Sequence, residues 1–130
     1  MSFISELAAR LETEGHGTVG TDIFIGKLPR EKESLLSLIE RPFNEADKDT
    51  GIKYDTVDFW ARNKSAASGH SKLEDIFNEF DRKGNWDLTN YFVYFAHPLG
   101  NIEDMDEDSE TRKLWRLTVR FIYRDKNIVS

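Results

Sequence analysis

Leu114–Tyr123, LWRLTVRFIY, is the stretch that decides the fold. Trp115, Leu117, Val119, Phe121 and Tyr123 fall on one side of the alternation, and Leu114, Arg116, Thr118, Arg120 and Ile122 on the other. A period of two sustained over ten residues is the pattern of a half-buried strand, because side chains on a strand alternate between its faces. The rings of Trp115, Phe121 and Tyr123 alone can remove several hundred Å² from water, at roughly 150–250 Å² per aromatic. The opposite face carries Arg116 and Arg120, with Arg124 just beyond, and cannot be core. It is either wetted or pressed against a partner.

Moving towards the N-terminus, six of the eight residues Glu103–Glu110 are carboxylates, which predicts a solvated, self-repelling loop. Before it, Tyr91–Ala96 (YFVYFA) is aromatic on both faces, which suits a central strand or one whose outer face meets another subunit, and Pro98 and Gly100 end it. Leu73, Ile76, Phe77 and Phe80 make a helical stripe that Ser71 and Glu74 can cap as a box and that Gly84 ends, with Ser65–Ser71 as linker. Ile52–Arg62 alternates, with Val57, Phe59 and Ala61 inward and Trp60 on the more polar side. Arg41–Gly51 (RPFNEADKDTG) has turn composition and predicts a mobile loop. Ser34–Glu40 suits a buried strand or a short helix; the charged Arg30–Glu33 resembles a hairpin loop, which favours strand. Asp22–Lys27 is a short strand closed by Leu28-Pro29, and Thr18–Thr21 a turn. At the start, Ser2 can cap a helix whose stripe is Phe3, Ile4, Leu7, Ala8 and Leu11, stopped by Gly15 and Gly17.

The expected order is therefore α-β-β-β-α-β-β. It predicts one α+β domain over 1–130: a mostly antiparallel sheet of about five strands with two helices on one face.

Composition narrows the function. A net charge of −6 disfavours reading nucleic acid, and the absence of cysteine excludes a disulfide framework and thiol catalysis. The first residues have neither a basic region nor an apolar run of signal length, and no stretch reaches the roughly 20 apolar residues of a membrane span. The chain therefore reads as a soluble protein made in a cytoplasm.

Chemical motifs are few. There is no Gly-x-Ser-x-Gly elbow, and His16, His70 and His97 lack zinc-ligand spacing. Gly15–Gly20 matches G-x-G-x-x-G by letter, yet it follows a helix and precedes a strand, the reverse of the dinucleotide-binding context. Asp104, Asp106 and Asp108 imitate the first half of a calcium loop, and Glu45, Asp47 and Asp49 do so more weakly. In the first, Ser109 then stands where glycine is needed and Trp115 where the bidentate glutamate is needed. A small calcium- or ligand-binding module using residues 103–110 is the alternative reading. An enzyme is the least supported, for want of a coherent site.

The helix running into Gly17-Thr18-Val19-Gly20-Thr21-Asp22-Ile23-Phe24-Ile25-Gly26-Lys27-Leu28-Pro29 resembles the tail terminator (minor capsid or minor tail protein) family of long-tailed phages and prophages. So does the end, where His97-Pro98-Leu99-Gly100 leads through an acidic loop to Phe121-Ile122-Tyr123-Arg124. The long Arg41–Gly51 loop departs from the short connector of that family. The resemblance implies a structural subunit with no catalytic residues and no cofactor. It closes into a ring, most simply a hexamer, at the head-proximal end of the virion tail. Its partners are copies of itself, the tail tube protein and a head connector or head-completion protein, with DNA only as passing cargo and no membrane.

A ring needs heterologous contacts, in which one face of a subunit meets a different face of the next. The stripe Arg116, Arg120, Arg124 and the loop residues Asp104, Asp106, Glu107 and Asp108 are the expected pair of faces, with Trp60 or Tyr94 as aromatic anchor.

Overall fold

The computed structural model describes residues 2–41, 45–46 and 51–127. The first helix, α1 (Phe3–Thr13), starts where Ser2 Oγ accepts the Ser5 N–H, and it buries Phe3, Ile4, Leu7, Ala8 and Leu11 as their spacing requires. Glu6 is buried on the same helix. Its carboxylate accepts the Asn90 backbone N–H at 2.8 Å and the Asn90 side-chain amide at 2.9 Å, fastening α1 to a distant turn. The glycine run that follows is a turn: a Cβ on Gly17 would lie 2.6 Å from Asp22 Oδ1.

Next come β1 (Ile23–Ile25), β2 (Leu35–Glu40), β3 (Glu45–Ala46) and β4 (Ile52–Asn63). Then follow α2 (Ala66–Phe80), β5 (Lys83–Asp87), β6 (Tyr91–Pro98), β7 (Glu103–Glu107) and β8 (Lys113–Asp125). The main sheet path is β1-β2-β4-β8-β6-β5, with β3 paired to β4 and β7 to β8. Every pairing is antiparallel except β1 with β2. The chain is thus α+β with a mostly antiparallel sheet, as the pattern predicted.

The expected LWRLTVRFIY strand is β8, and it runs between β4 on one side and β6 and β7 on the other. Leu117, Val119, Phe121 and Tyr123 are buried, and Phe59, Val57 and Ala61 of β4 share their face. Both helices pack there. The Phe3 ring of α1 stacks on Tyr123 at 3.8 Å, and Phe80 of α2 meets Phe121 edge-on at 5.1 Å. Trp115 lies on the same face but only half buried, its indole N–H donating to the Ala66 carbonyl at 3.0 Å. It leaves no room beside it: a Cβ on Gly69 would come within 3.0 Å of the Trp115 ring.

The structure corrects the sequence reading in four places. The second helix begins at Ala66, not after Ser71, because Ser65 Oγ accepts the Ser68 N–H and caps it a turn and a half earlier. Arg30–Glu33 is no hairpin loop; β1 and β2 are parallel, and the segment between them crosses the other face of the sheet. Lys83–Asp87, which carries no alternation, is the edge strand β5. Residues 103–107 are a strand rather than a loop, since Lys113 and Arg116 of β8 supply counter-charges to Asp104 and Glu103. Of the expected Arg41–Gly51 loop, residues 45–46 form β3, and 42–44 and 47–50 lie outside the described residues.

Asp55 of β4 accepts the Tyr123 hydroxyl at 2.7 Å, and burial pushes the Tyr123 pKa up; Glu40, the last residue of β2, interacts with the same carboxylate. Loss of hydration, and then the neighbouring Asp55 carboxylate, raise the Glu40 carboxyl above its ordinary value. Folded Glu40 therefore holds its proton more tightly than the unfolded chain does, so its ionisation erodes stability as pH rises from the unfolded pKa through the folded one. Glu40→Gln is expected to melt at a higher temperature than the parent near pH 7 and at the same temperature near pH 4, measured by thermal scans across pH. A constant difference at both pH values would exclude this origin.

Candidate assembly surface

The face of the sheet away from the helices is built by the even-numbered residues of β4 and β8. Their register sets Trp60 opposite Arg116, Asp58 opposite Thr118 and Thr56 opposite Arg120. Guanidinium groups lie over rings along it: Arg116 over Trp60 at 5.6 Å, Arg120 over Tyr54 at 5.2 Å and Arg124 over Phe92 at 5.7 Å. Such contacts hold a cation at a wet surface without removing its charge. Between them, Asp58 accepts Arg41 Nε at 3.0 Å and the Thr118 hydroxyl at 2.6 Å.

A bulge at Tyr94 in β6 interrupts its pairing with β8, and the Tyr94 ring meets Phe92 edge-on at 5.1 Å. Tyr94 is 36% exposed, and Leu99, just past β6, is 50% exposed. Leu99 borders a hollow of about 210 Å³ with Arg41, Asn101, Glu103 and Thr118. Among the described residues no helix packs on this part of the sheet.

The structure therefore gathers Arg116, Arg120, Arg124, Trp60 and Tyr94 on one face, and puts Asp104, Asp106, Glu107 and Asp108 at the β7–β8 hairpin. Several of these charges already have partners in their own chain. Arg116 holds Glu103 at 2.9 Å. Lys113 binds Asp104 and, with the Asp106 N–H, keeps its carboxyl below the usual range. Asp108 accepts Arg112 Nε at 2.8 Å. Burial pushes the Asp108 carboxyl up, but the N–H groups of Arg112 and Glu110 and the Arg112 guanidinium outweigh it, and the pKa falls. What remains without an ion pair among the described residues is Asp106 and Glu107 on the hairpin, and Arg120 and Arg124 on the sheet.

Beneath the hairpin lie two arginines that the pattern did not single out. Arg112 is 4% exposed, bonds Asp108 and Glu110, and donates to the carbonyls of Arg30 at 2.7 Å and Lys32 at 3.0 Å. Arg62 is 5% exposed and donates to the carbonyls of Pro29 and Lys32. Together they clamp the segment joining β1 to β2 across one end of the sheet, where it also covers Ser37. The only outward sign of this was the Asp108–Arg112 spacing.

The calcium reading loses its ligands here, since Asp104 and Asp108 are turned to Lys113 and Arg112. The histidines stand apart. His16 faces Glu79 at 3.7 Å, His70 faces Glu74 at 3.1 Å, and His97 lies beside Phe95. Among the described residues no group of three His, Asp or Glu could hold a metal ion.

Charged area thus lies at two separate places on the sheet, with Trp60, Tyr54 and Phe92 beneath the arginines at one of them. In comparison with known families, residues 10–125 match the family described as bacteriophage tail terminator protein, and the chain belongs to that family. It is a structural component of phage tail assembly. No curated protein matches the sequence.

Proposed function

We propose that this chain is the subunit that closes as a ring, most simply a hexamer, over the finished end of a tail tube. There it stops tube polymerisation and offers its outer side to a head connector or head-completion protein. The observation that carries this reading is the extent of the family match, which takes in the last turn of α1 and the whole described sheet. The surfaces described above thus belong to the family's own domain. A net charge of −6 suits a wall past which DNA slides without sticking.

The reading is tested on tails assembled with and without the protein. Without it, tubes are expected to grow past their normal length and to remain detached from heads, as seen by negative-stain imaging; adding the purified protein restores both. Tails of ordinary length that join heads in its absence would overturn the proposal.

A further inference from the structure

We infer that neighbouring copies meet head to tail, with Asp106 and Glu107 of one subunit seated against Arg120 and Arg124 of the next. The inference rests on the ring reading and assigns its contact. Strand β8 acts as a ruler. Glu107 pairs with Lys113 at the start of β8. Arg120 then lies roughly 23 Å further along, and Arg124 roughly 36 Å, at about 3.3 Å per residue. Those distances are several times the Debye length of about 8 Å at physiological ionic strength. Because β8 is hydrogen-bonded to β4 along its length and to β6 and β7 on its other edge, it cannot fold back to bring its two ends together.

Among the described residues, a single subunit thus carries negative charge without an ion pair towards one end of a stiff strand and positive charge without one towards the other. Among the described residues, several neighbouring charges are already paired within the chain: Glu103 with Arg116, Asp104 with Lys113, Asp108 and Glu110 with Arg112, and Asp58 with Arg41. Two complementary patches at opposite ends make a heterologous contact, the kind that generates rings when the rotation closes.

Local geometry favours the same pairing. The register shift between Asp104 and Glu107 lifts Asp106 out of the ladder, at φ 66°, on a strand that pairs only with β8 among the described residues. The receiving arginines are held over Tyr54 and Phe92, which reduces the ordering needed when a carboxylate arrives. Exposed Tyr94, beside Phe92, adds apolar area that a bare charge pair would lack.

The test uses two reversed variants, Arg120→Glu/Arg124→Glu and Asp106→Lys/Glu107→Lys, checked for parental circular dichroism and melting. Assembly is followed by sedimentation, free and on tail tubes. Each variant alone is expected to assemble at least about 100-fold more weakly than the parent. Mixed in equal amounts they are expected to recover, because each then meets the charge it needs, in an alternating ring. Arg120→Gln/Arg124→Gln serves if the glutamates disturb folding, and should show the loss without the recovery. If the reversed variants assemble like the parent, or if the mixture stays apart, this contact is overturned while the ring reading stands. A parent protein that never assembles, in solution or on tubes, removes both.

Discussion

Phe121→Ala is expected to destabilise the fold by about 4 kcal/mol, a large share of the roughly 5–15 kcal/mol that holds a domain of this size together. The Phe121 ring lies at the meeting point of both helices and the sheet. Its neighbours are Phe80 at 5.1 Å, Phe3 at 5.5 Å, Phe59 at 6.4 Å and Trp86 at 6.5 Å. Truncation removes the transfer free energy of the ring and leaves a void that four large rings cannot close by small shifts. Phe121→Leu, which fills most of that space, should cost only about 1–2 kcal/mol. Urea unfolding distinguishes the two, and equal losses would mean that the ring's own contacts matter more than its bulk.

Arg112→Ala is the second large effect, expected at about 3 kcal/mol. One substitution strips Asp108 and Glu110 of their nearest cation, removes the guanidinium donor from the Arg30 carbonyl and leaves the Lys32 carbonyl to Arg62 alone. It also leaves Arg62 as the sole guanidinium under that crossing. Burial, and then the Arg112 charge beside it, lower the Arg62 pKa. Arg112→Lys should recover little, since an ammonium cannot reach two carboxylates and two carbonyls from one planar fork. Hydrogen exchange should speed up in residues 28–33 and 108–112 and leave α1 protected. Uniform exchange across the protein would show that the clamp is not local.

The parts of this fold that were legible in the sequence are those where burial is one-sided. In α1 the five apolar positions predicted are buried, and in β8 the alternation separates Phe121 from Arg120 as drawn. Trp60 on the polar side of β4 was also legible, because its neighbours Phe59 and Ala61 left it no other face. The misses have a common physical origin in tertiary pairing. β7 is a run of carboxylates with poor strand propensity, and it is extended only because β8 brings Lys113 and Arg116 alongside. β5 buries only Trp86, so it had no period to read. The parallel β1–β2 pair depends on Arg62 and Arg112 lying under the connection, and an arginine's burial does not show in its spacing. Of the surface residues, the arginine stripe was visible as an uncovered face. Which of its charges were already matched within the chain depended on β7 being a strand.

Strand β8 is made after every strand it pairs with, and it separates β4 from β6 and β7 in the finished sheet. A nascent chain emerging from the ribosome can therefore complete neither half of its sheet, nor present the arginines, until translation has passed residue 125. Completion of the sheet, and with it of the arginine face, is in this way deferred until the last strand has been made.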